Sequence, residues 1–136
     1  MKIRTIFAAT LLAALLALSA CGGEPASPEQ PVEERIMARW ALILERDFEA
    51  EWDFHTPGFR QTTPRFDYAR DMSRRPVRWL DAELRSVDCD GDRCEARVRV
   101  TYRPLGAPGP ISRMEMDRTI EEVWIRVADN WWFAGN

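Results

Sequence analysis

The chain has 136 residues, a formal net charge of −3 and a strongly aromatic composition that includes six tryptophans and six phenylalanines. This charge balance argues against a nucleic-acid-binding protein, which needs an excess of basic residues to neutralise phosphates. The roughly one hundred residues from Pro31 onward are enough for one domain with one hydrophobic core.

Residues 1–20 have the pattern of an export signal. Two basic residues precede an apolar run over residues 6–18, which is shorter than the roughly 20 residues that a membrane-spanning helix needs. The run ends in Leu18-Ser19-Ala20-Cys21, which resembles the lipobox of bacterial lipoproteins. The resemblance implies that Cys21 becomes the lipidated first residue of the mature chain, which a lipid would then attach to a membrane. The alternatives are an ordinary cleaved signal and an N-terminal anchor helix, in both of which Cys21 would be incidental.

The sequence after the lipobox predicts a tether and then a domain. Stable anchoring takes at least two acyl chains, and the resemblance implies a diacyl or triacyl group on Cys21. Lipoproteins kept in the inner membrane often have Asp after the cysteine, so Gly22 implies the outer membrane, facing the periplasm.

Residues 22–30 are rich in Gly, Pro, Ser and Glu and predict a solvated tether. The predicted layout is a signal over 1–20, a lipidated tether over 21–30 and a domain over 31–136. Without Lys2 and Arg4, the mature chain would carry a net charge near −5.

The first part of the domain is predicted to be helical. Apolar residues recur there at intervals of three and four, which is the spacing of one helix face. These residues are Ile36, Trp40, Ile43, Leu44, Phe48 and Trp52. We expect one long helix from Pro31 to about Phe54, with Arg39 on its polar side and an end at Thr56-Pro57-Gly58. Thr63 as cap and Pro64 at the first helical position predict a second, short helix over residues 65–73.

After Pro76 the period changes to two, which predicts a β-hairpin. Small and apolar residues alternate with charged ones over residues 94–103, giving one buried and one charged face. With Gly91-Asp92 as a type II′ loop, Cys89 opposes Cys94 on the partner strand, residues 78–89. A bulge at Arg85-Ser86 is expected, because strict pairing would bury Arg85. Beyond the bulge, Leu84 pairs with Val98, Ala82 with Val100 and Leu80 with Tyr102.

Cys89 and Cys94 are predicted to form a disulfide bond. The periplasm is oxidising, and only these two cysteines remain once Cys21 is lipidated. The short ring would stabilise the fold by about 2 kcal/mol. A redox-active pair is less favoured because the spacing is not Cys-x-x-Cys, and a metal site with His55 matches no metal-binding pattern. No metal or cofactor is therefore predicted.

The C-terminal part predicts two more antiparallel strands. A loop rich in proline and glycine covers residues 104–110, and a long third strand follows over 111–127. The apolar residues change parity along this strand, which predicts a bulge near Glu121-Glu122. A turn at Asp129-Asn130 leads to a last short strand over residues 131–133.

The order of these elements resembles the NTF2-like, or cystatin-like α+β roll, superfamily. The resemblance rests on the long helix with its aromatic exit over residues 54–60, the long bent strands and the tryptophan-rich last strand, and it covers Val32 to Asn136. It implies an α+β fold in which the long and short helices pack in a curved, mainly antiparallel four-stranded sheet. Such a cone can hold a small apolar ligand. Ketosteroid isomerase, SnoaL-type cyclases and scytalone dehydratase share this fold, while many relatives only bind ligands or dimerise.

The expected function is a lipid-anchored, non-catalytic module that binds a small ligand or another envelope protein. The first alternative is an isomerase or dehydratase, and the second is an accessory lipoprotein without a pocket. Catalytic relatives use an Asp or His base with tyrosine or acid donors, but no such motif matches here residue by residue, so no catalytic residue is assigned. The candidate pocket residues are Trp40, His55, Asp67, Tyr68, Trp79, Tyr102 and Trp124.

Two structural questions bear on this choice. Asp67 and Tyr68, opposite Tyr102, are the best candidates for a base and a donor, although a surface Asp and a core Tyr are the simpler interpretation. A cone filled by Trp40, Trp79 and Trp124 would favour the accessory protein.

On the charged sheet face, a row of arginines is predicted to form an exposed ion-pair ladder, or else a surface for a homodimer. The row is Arg97, Arg99 and Arg103, with Glu83 and Arg85 on one side and Glu115 or Glu121 on the other.

Overall fold

A computed structural model describes residues 31–135, in which four α-helices precede a four-stranded sheet. The helices are α1 (Val32–Glu45), α2 (Phe48–Glu51), α3 (Pro57–Thr62) and α4 (Arg65–Ser73), with a 3₁₀ turn at Trp52–Phe54. The export signal, lipobox and tether predicted above lie outside the described residues. Within residues 31–135, no helix has the length and apolar character that crossing a membrane requires.

The sheet is an antiparallel meander. Its strands are β1 (Val77–Asp90), β2 (Arg93–Pro104), β3 (Met116–Val127) and β4 (Asn130–Gly135), and a 3₁₀ turn at Gly109–Arg113 precedes β3. The strand order is β1-β2-β3-β4, and each strand pairs with the next in sequence. The predicted α+β class and the four-strand meander are confirmed.

The predicted single helix from Pro31 to Phe54 is wrong. α1 ends at Glu45, and Arg46 adopts a left-handed conformation with φ of 64°. The Asp47 side chain then accepts a hydrogen bond from the Ala50 backbone N–H at 3.1 Å, which caps α2. Aspartate favours such caps over helix interiors, so the apolar pattern continues while the helix itself breaks.

Thr56-Pro57-Gly58 begins a helix, although it was predicted only to end one. Thr56 Oγ1 accepts a hydrogen bond from the Phe59 N–H at 3.3 Å, and Pro57 occupies the first helical position of α3. The predicted helix over residues 65–73 is confirmed as α4, although Pro64 takes the cap position that Thr63 was expected to fill.

The predicted hairpin is confirmed in register from the turn to the Ala82–Val100 pair. Cys89 pairs with Cys94 and forms the disulfide bond. Gly91 has φ of 57° while Asp92 has a negative φ, as in a type II′ turn. The expected bulge lies between Leu84 and Ser86.

A second, unpredicted shift occurs on β1 between Trp79 and Asp81. It places Trp79 opposite Tyr102, where Leu80 was expected. The shift brings the Trp79 ring within 5.7 Å of the Tyr102 ring, measured between centroids.

The predicted change of parity on the third strand is wrong. β2 and β3 pair without a register shift from Cys94–Trp124 to Tyr102–Met116. Ile120, Glu122 and Trp124 therefore share the buried face, because alternate residues of a strand point the same way. The bulge lies instead on β4, where Ala134 is the extra residue between the partners of Val123 and Trp124.

The hydrophobic core lies between α1 and the inner face of the sheet. It consists of side chains from one face of α1, from α2, from Ala69 of α4 and from the inward positions of β2, β3 and β4. Its largest members are Trp40, Phe48, Trp124, Trp131 and Phe133, with Ile36, Ile43, Val98 and Val100 between them. Burial of each such side chain stabilises the fold by about 1.5–3 kcal/mol.

Candidate functional site

A cavity of about 390 Å³ opens where α1, α3 and α4 meet the inner face of the sheet. Its aromatic walls come from five elements and consist of Trp40, Phe59, Tyr68, Trp79 and Phe133. This volume lies within the range of small-molecule binding pockets. The polar residues Arg39, His55 and Glu122 also line the cavity, and with Glu51 and Tyr68 they form a group that we call the inner network.

Arg39 lies at the centre of the inner network. Its Nη1 donates a hydrogen bond to Glu122 Oε1 at 2.9 Å, and its Nε lies 2.5 Å from Glu51 Oε1. The contact with Glu51 is a close ion pair without the alignment of a hydrogen bond. The guanidinium carbon also lies 3.6 Å from the centre of the Phe133 ring. The prediction that Arg39 lies on the polar side of the helix is therefore wrong, since the residue is only 5% exposed.

Glu122 is buried, and both of its carboxylate oxygens are occupied. Oε1 accepts the hydrogen bond from Arg39 and a second one from Trp40 Nε1 at 2.9 Å. Oε2 accepts a hydrogen bond from Trp124 Nε1 at 3.0 Å. An indole N–H can only donate, so the buried carboxylate satisfies two tryptophans as well as the arginine.

Glu51 is completely buried in α2. Tyr68 OH donates a hydrogen bond to its Oε2 at 2.5 Å, and His55 Nε2 lies 3.4 Å from its Oε1. Burial, the largest single influence, raises the pKa of Glu51, but His55, the charge of Arg39 and Tyr68 together outweigh it, so the pKa lies below the usual value. Glu51 is therefore ionised at neutral pH.

Tyr68 and His55 connect Glu51 to the cavity wall. The pKa of Tyr68 is raised, first by burial and then by the charge of Glu51, so the phenol stays protonated. Because Tyr68 OH donates to Glu51, it accepts from His55 Nε2, which lies 3.0 Å away. We therefore assign the proton of a neutral His55 to Nε2. The His55 ring also stacks on Phe59, with 4.2 Å between ring centres.

These contacts limit the chemistry of the site. Glu51 and Glu122 already accept hydrogen bonds or ion pairs from buried protein donors, so neither has an oxygen held ready to take a proton from a ligand. His55 Nδ1 makes no hydrogen bond with any residue in the part of the chain that the structure describes. Over residues 31–135, no group of three His, Cys, Asp or Glu side chains is arranged to hold a metal ion.

Four of the seven candidate pocket residues line the cavity, namely Trp40, His55, Tyr68 and Trp79. The other three lie elsewhere. Asp67 forms an ion pair with Arg70 on the surface of α4 at 2.9 Å, and Tyr102 packs against Trp79 outside the lining. Trp124 is fully buried beneath the cavity, so the three tryptophans do not fill the cone.

Arg39, Glu51 and Glu122 are site residues that the sequence pattern did not predict. One signal was available for Glu122, which occupies the same strand parity as Ile120 and Trp124. Glu51 and His55 are four residues apart, which is the spacing of neighbours on one helix face. Neither pattern identifies a partner, because the partners come from distant elements.

The outer face of the sheet carries the predicted arginine row as three ion pairs, which we call the outer ladder. The pairs are Arg97–Glu121 at 3.2 Å, Arg99–Asp117 at 2.8 Å and Arg103–Glu115 at 2.9 Å. All six side chains are 40% exposed or more. The predicted ladder is confirmed, and the homodimer remains a prediction.

Comparison with known proteins gives similarity at the level of the fold. No protein-family model matches the chain, and no curated protein matches it significantly. A SEC-C motif containing protein from Rhodopseudomonas palustris has a TM-score of 0.57 at 16% identity, over 75% of this chain and 73% of that one.

Two further solved structures are similar. A SEC-C motif containing protein from Psychrobacter arcticus has a TM-score of 0.59 at 9% identity, over 82% of this chain and 62% of that one, so the match spans less than two thirds of its length. A candidate dehydratase of the NTF2-like family from Streptomyces avermitilis has a TM-score of 0.49 at 17% identity, over 75% and 88% of the two chains. At these identities the similarities concern the fold alone, and activity has to be argued from the site.

Proposed function

We propose that this chain is a lipid-anchored protein of the bacterial cell envelope whose domain binds a small ligand. The observation that carries the ligand-binding part is the cavity of about 390 Å³, with aromatic walls and the inner network at its base. Binding pockets typically combine apolar walls with a few fixed polar groups. A domain that served only as a structural accessory would have no need of this opening.

The inner network supports binding over catalysis. An isomerase or dehydratase needs a group that takes a proton from the substrate and a group that donates one. Here Glu51 and Glu122 are committed to protein donors, and the raised pKa of Tyr68 keeps its proton on the phenol. His55 is the one remaining candidate for a base, through its Nδ1, but Tyr68 donates its proton to Glu51 and so is not free to act as the complementary acid. The two carboxylates and Tyr68 therefore orient a ligand without exchanging protons with it.

The ligand-binding part can be tested by native mass spectrometry of protein recovered gently from a bacterial envelope. We expect a non-covalent mass that is released on denaturation. Met72→Trp adds bulk to the cavity lining and should abolish that mass. Met114→Trp is the matched control, since Met114 is 55% exposed and lies outside the lining. Thermal unfolding would verify that both variants are folded. A bare wild-type protein, or equal ligand in both variants, would contradict the proposal.

The lipid anchor rests on the resemblance of Leu18-Ser19-Ala20-Cys21 to a lipobox. Cells grown with an alkyne-labelled fatty acid should incorporate the label into the wild-type protein, and Cys21→Ala should lose it. Ser19→Thr keeps the cysteine and is the matched control. Label retained in Cys21→Ala would refute anchoring without affecting the ligand-binding part.

A further inference from the structure

We propose that the cavity takes an organic cation without N–H groups, a quaternary ammonium compound, which lies against the aromatic walls above the inner network. This inference depends on the proposed ligand-binding function and specifies its ligand. It rests on three features of the cavity: its charge, its occupied acceptors and its rings.

The inner network is negative in sum. The inner network contains two buried carboxylates, Glu51 and Glu122, against one guanidinium, that of Arg39. With His55 counted as neutral, the network carries one excess negative charge. At the cavity mouth, Asp71 and Arg75 contribute one charge of each sign, so the excess remains. Water and salt screen buried charges much less than exposed ones, so a cation in the cavity is attracted.

The contacts that the carboxylates of the inner network already make favour a cation without N–H groups. The oxygens of Glu51 and Glu122 are already in contact with Arg39, Tyr68 or the two tryptophan N–H groups. A primary ammonium group would lose the hydration of three N–H groups, whereas the inner network offers it one acceptor without a hydrogen bond to another described residue, His55 Nδ1. A quaternary ammonium group has no N–H to satisfy, so it gains the attraction without that loss.

The aromatic walls suit the same ligand. Trp40 and Trp79 stand nearly perpendicular, at 86° with 5.8 Å between ring centres, and Phe59 and Tyr68 form a second perpendicular pair at 5.7 Å. Two rings at a right angle can contact a rounded group from two sides, and quaternary ammonium ions bind against aromatic faces in proteins. The domain already uses the interaction internally, since Arg39 lies 3.6 Å from the centre of the Phe133 ring.

A matched pair of probes tests the inference on the full chain in a neutral maltoside detergent. Choline and 3,3-dimethylbutan-1-ol have nearly the same shape, and only choline is charged. We expect isothermal titration calorimetry to give a dissociation constant roughly tenfold lower for choline. Equal or tighter binding of the alcohol would overturn the cation inference and leave the ligand-binding function standing. Absence of binding by both probes would also overturn it, while the native mass measurement decides the broader function separately.

Two variants test whether the preference for choline over the alcohol depends on the charge of the inner network. Glu122→Gln removes the excess negative charge and should abolish most of the preference for choline while the alcohol still binds, which also shows that the variant is folded. Asp117→Asn makes the same change of charge on the outer ladder, away from the cavity, and should keep the preference. Loss of the preference in both variants would overturn the inference, because long-range charge would then explain it.

Discussion

The inner network and the outer ladder pair arginine with carboxylates in opposite surroundings. Arg39 is 5% exposed, whereas the side chains of the outer ladder are at least 40% exposed. Water can replace a lost partner on the outer face, so exposed pairs contribute little. No water replaces a partner in the interior, and a buried charge without its partner is costly. Loss of an arginine–carboxylate pair should therefore strongly destabilise the fold in the inner network and have little effect on stability in the outer ladder.

The largest expected effect comes from Glu122→Ala. This change leaves the Arg39 guanidinium and the N–H groups of Trp40 and Trp124 without their acceptor. We expect a loss of about 3–5 kcal/mol in the free energy of unfolding, measured by urea denaturation.

The neighbouring residue provides the control for this prediction. Glu121 lies next to Glu122 on β3 but points to the outer face, with a side chain 75% exposed. Glu121→Ala should change the free energy of unfolding by less than about 0.5 kcal/mol. Similar losses in the two variants would mean that burial does not separate the two regions.

The second effect concerns pH and Glu51. Its pKa in the folded protein is below the ordinary value of 4.5. Its contribution to stability is thus complete above about pH 5 and is lost as the pH falls through the folded pKa. Glu51→Gln should lower the free energy of unfolding by about 2 kcal/mol at pH 7. The difference from wild type should shrink as the pH falls below 4.5.

Urea denaturation at pH 7, 5 and 3.5 measures this dependence. Glu49→Gln is the control, because Glu49 is exposed on the same helix, and its effect should be small at every pH. A difference between wild type and Glu51→Gln that grew toward low pH would show that the pKa of Glu51 is raised on folding.

Part of the fold follows from local sequence. The β1–β2 hairpin was predictable from the turn through the bulge at Arg85 to the Ala82–Val100 pair, because turn chemistry at Gly91 fixes the register and alternation then assigns each side chain to a face. The second shift, between Trp79 and Asp81, has no such local signal. α4 was predictable for similar reasons. In each case the deciding interactions lie within a few residues along the chain.

The site was predictable only in its aromatic walls. Glu122 is an exception to the rule that charged residues lie on the surface. It can be buried because side chains of α1 and β3 donate hydrogen bonds to its carboxylate. The sequence pattern predicted Glu122 on the outer face, and this required a change of parity along the third strand that the structure does not have. Glu51 and Arg39 were missed for the same reason, since a buried charge depends on a partner that is distant in sequence and is recognisable only after folding.

A smaller effect is expected from Arg39→Lys. Lysine keeps the charge but lacks the planar group that contacts Glu51 and Glu122 at once and packs on Phe133. We expect a loss of about 1–2 kcal/mol by urea denaturation. Arg99→Lys makes the same change on the outer ladder and should be nearly silent. Equal effects would indicate that charge alone, without geometry, holds the inner network.

The smallest effect is expected from Asp117→Asn in the outer ladder. Asp117 accepts hydrogen bonds from Thr101 at 2.7 Å and Arg99 at 2.8 Å, which lower its pKa, the first more than the second. Both charged groups face solvent, so water takes over when the pair is broken. The melting temperature should fall only slightly, and the difference from wild type should vanish in 1 M salt, where charges are screened within about 3 Å. A clear loss of melting temperature that persists in high salt would mean that another surface covers this face, as in the predicted homodimer. The contrast between the two regions would then lie between two buried interfaces, one within the chain and one between copies.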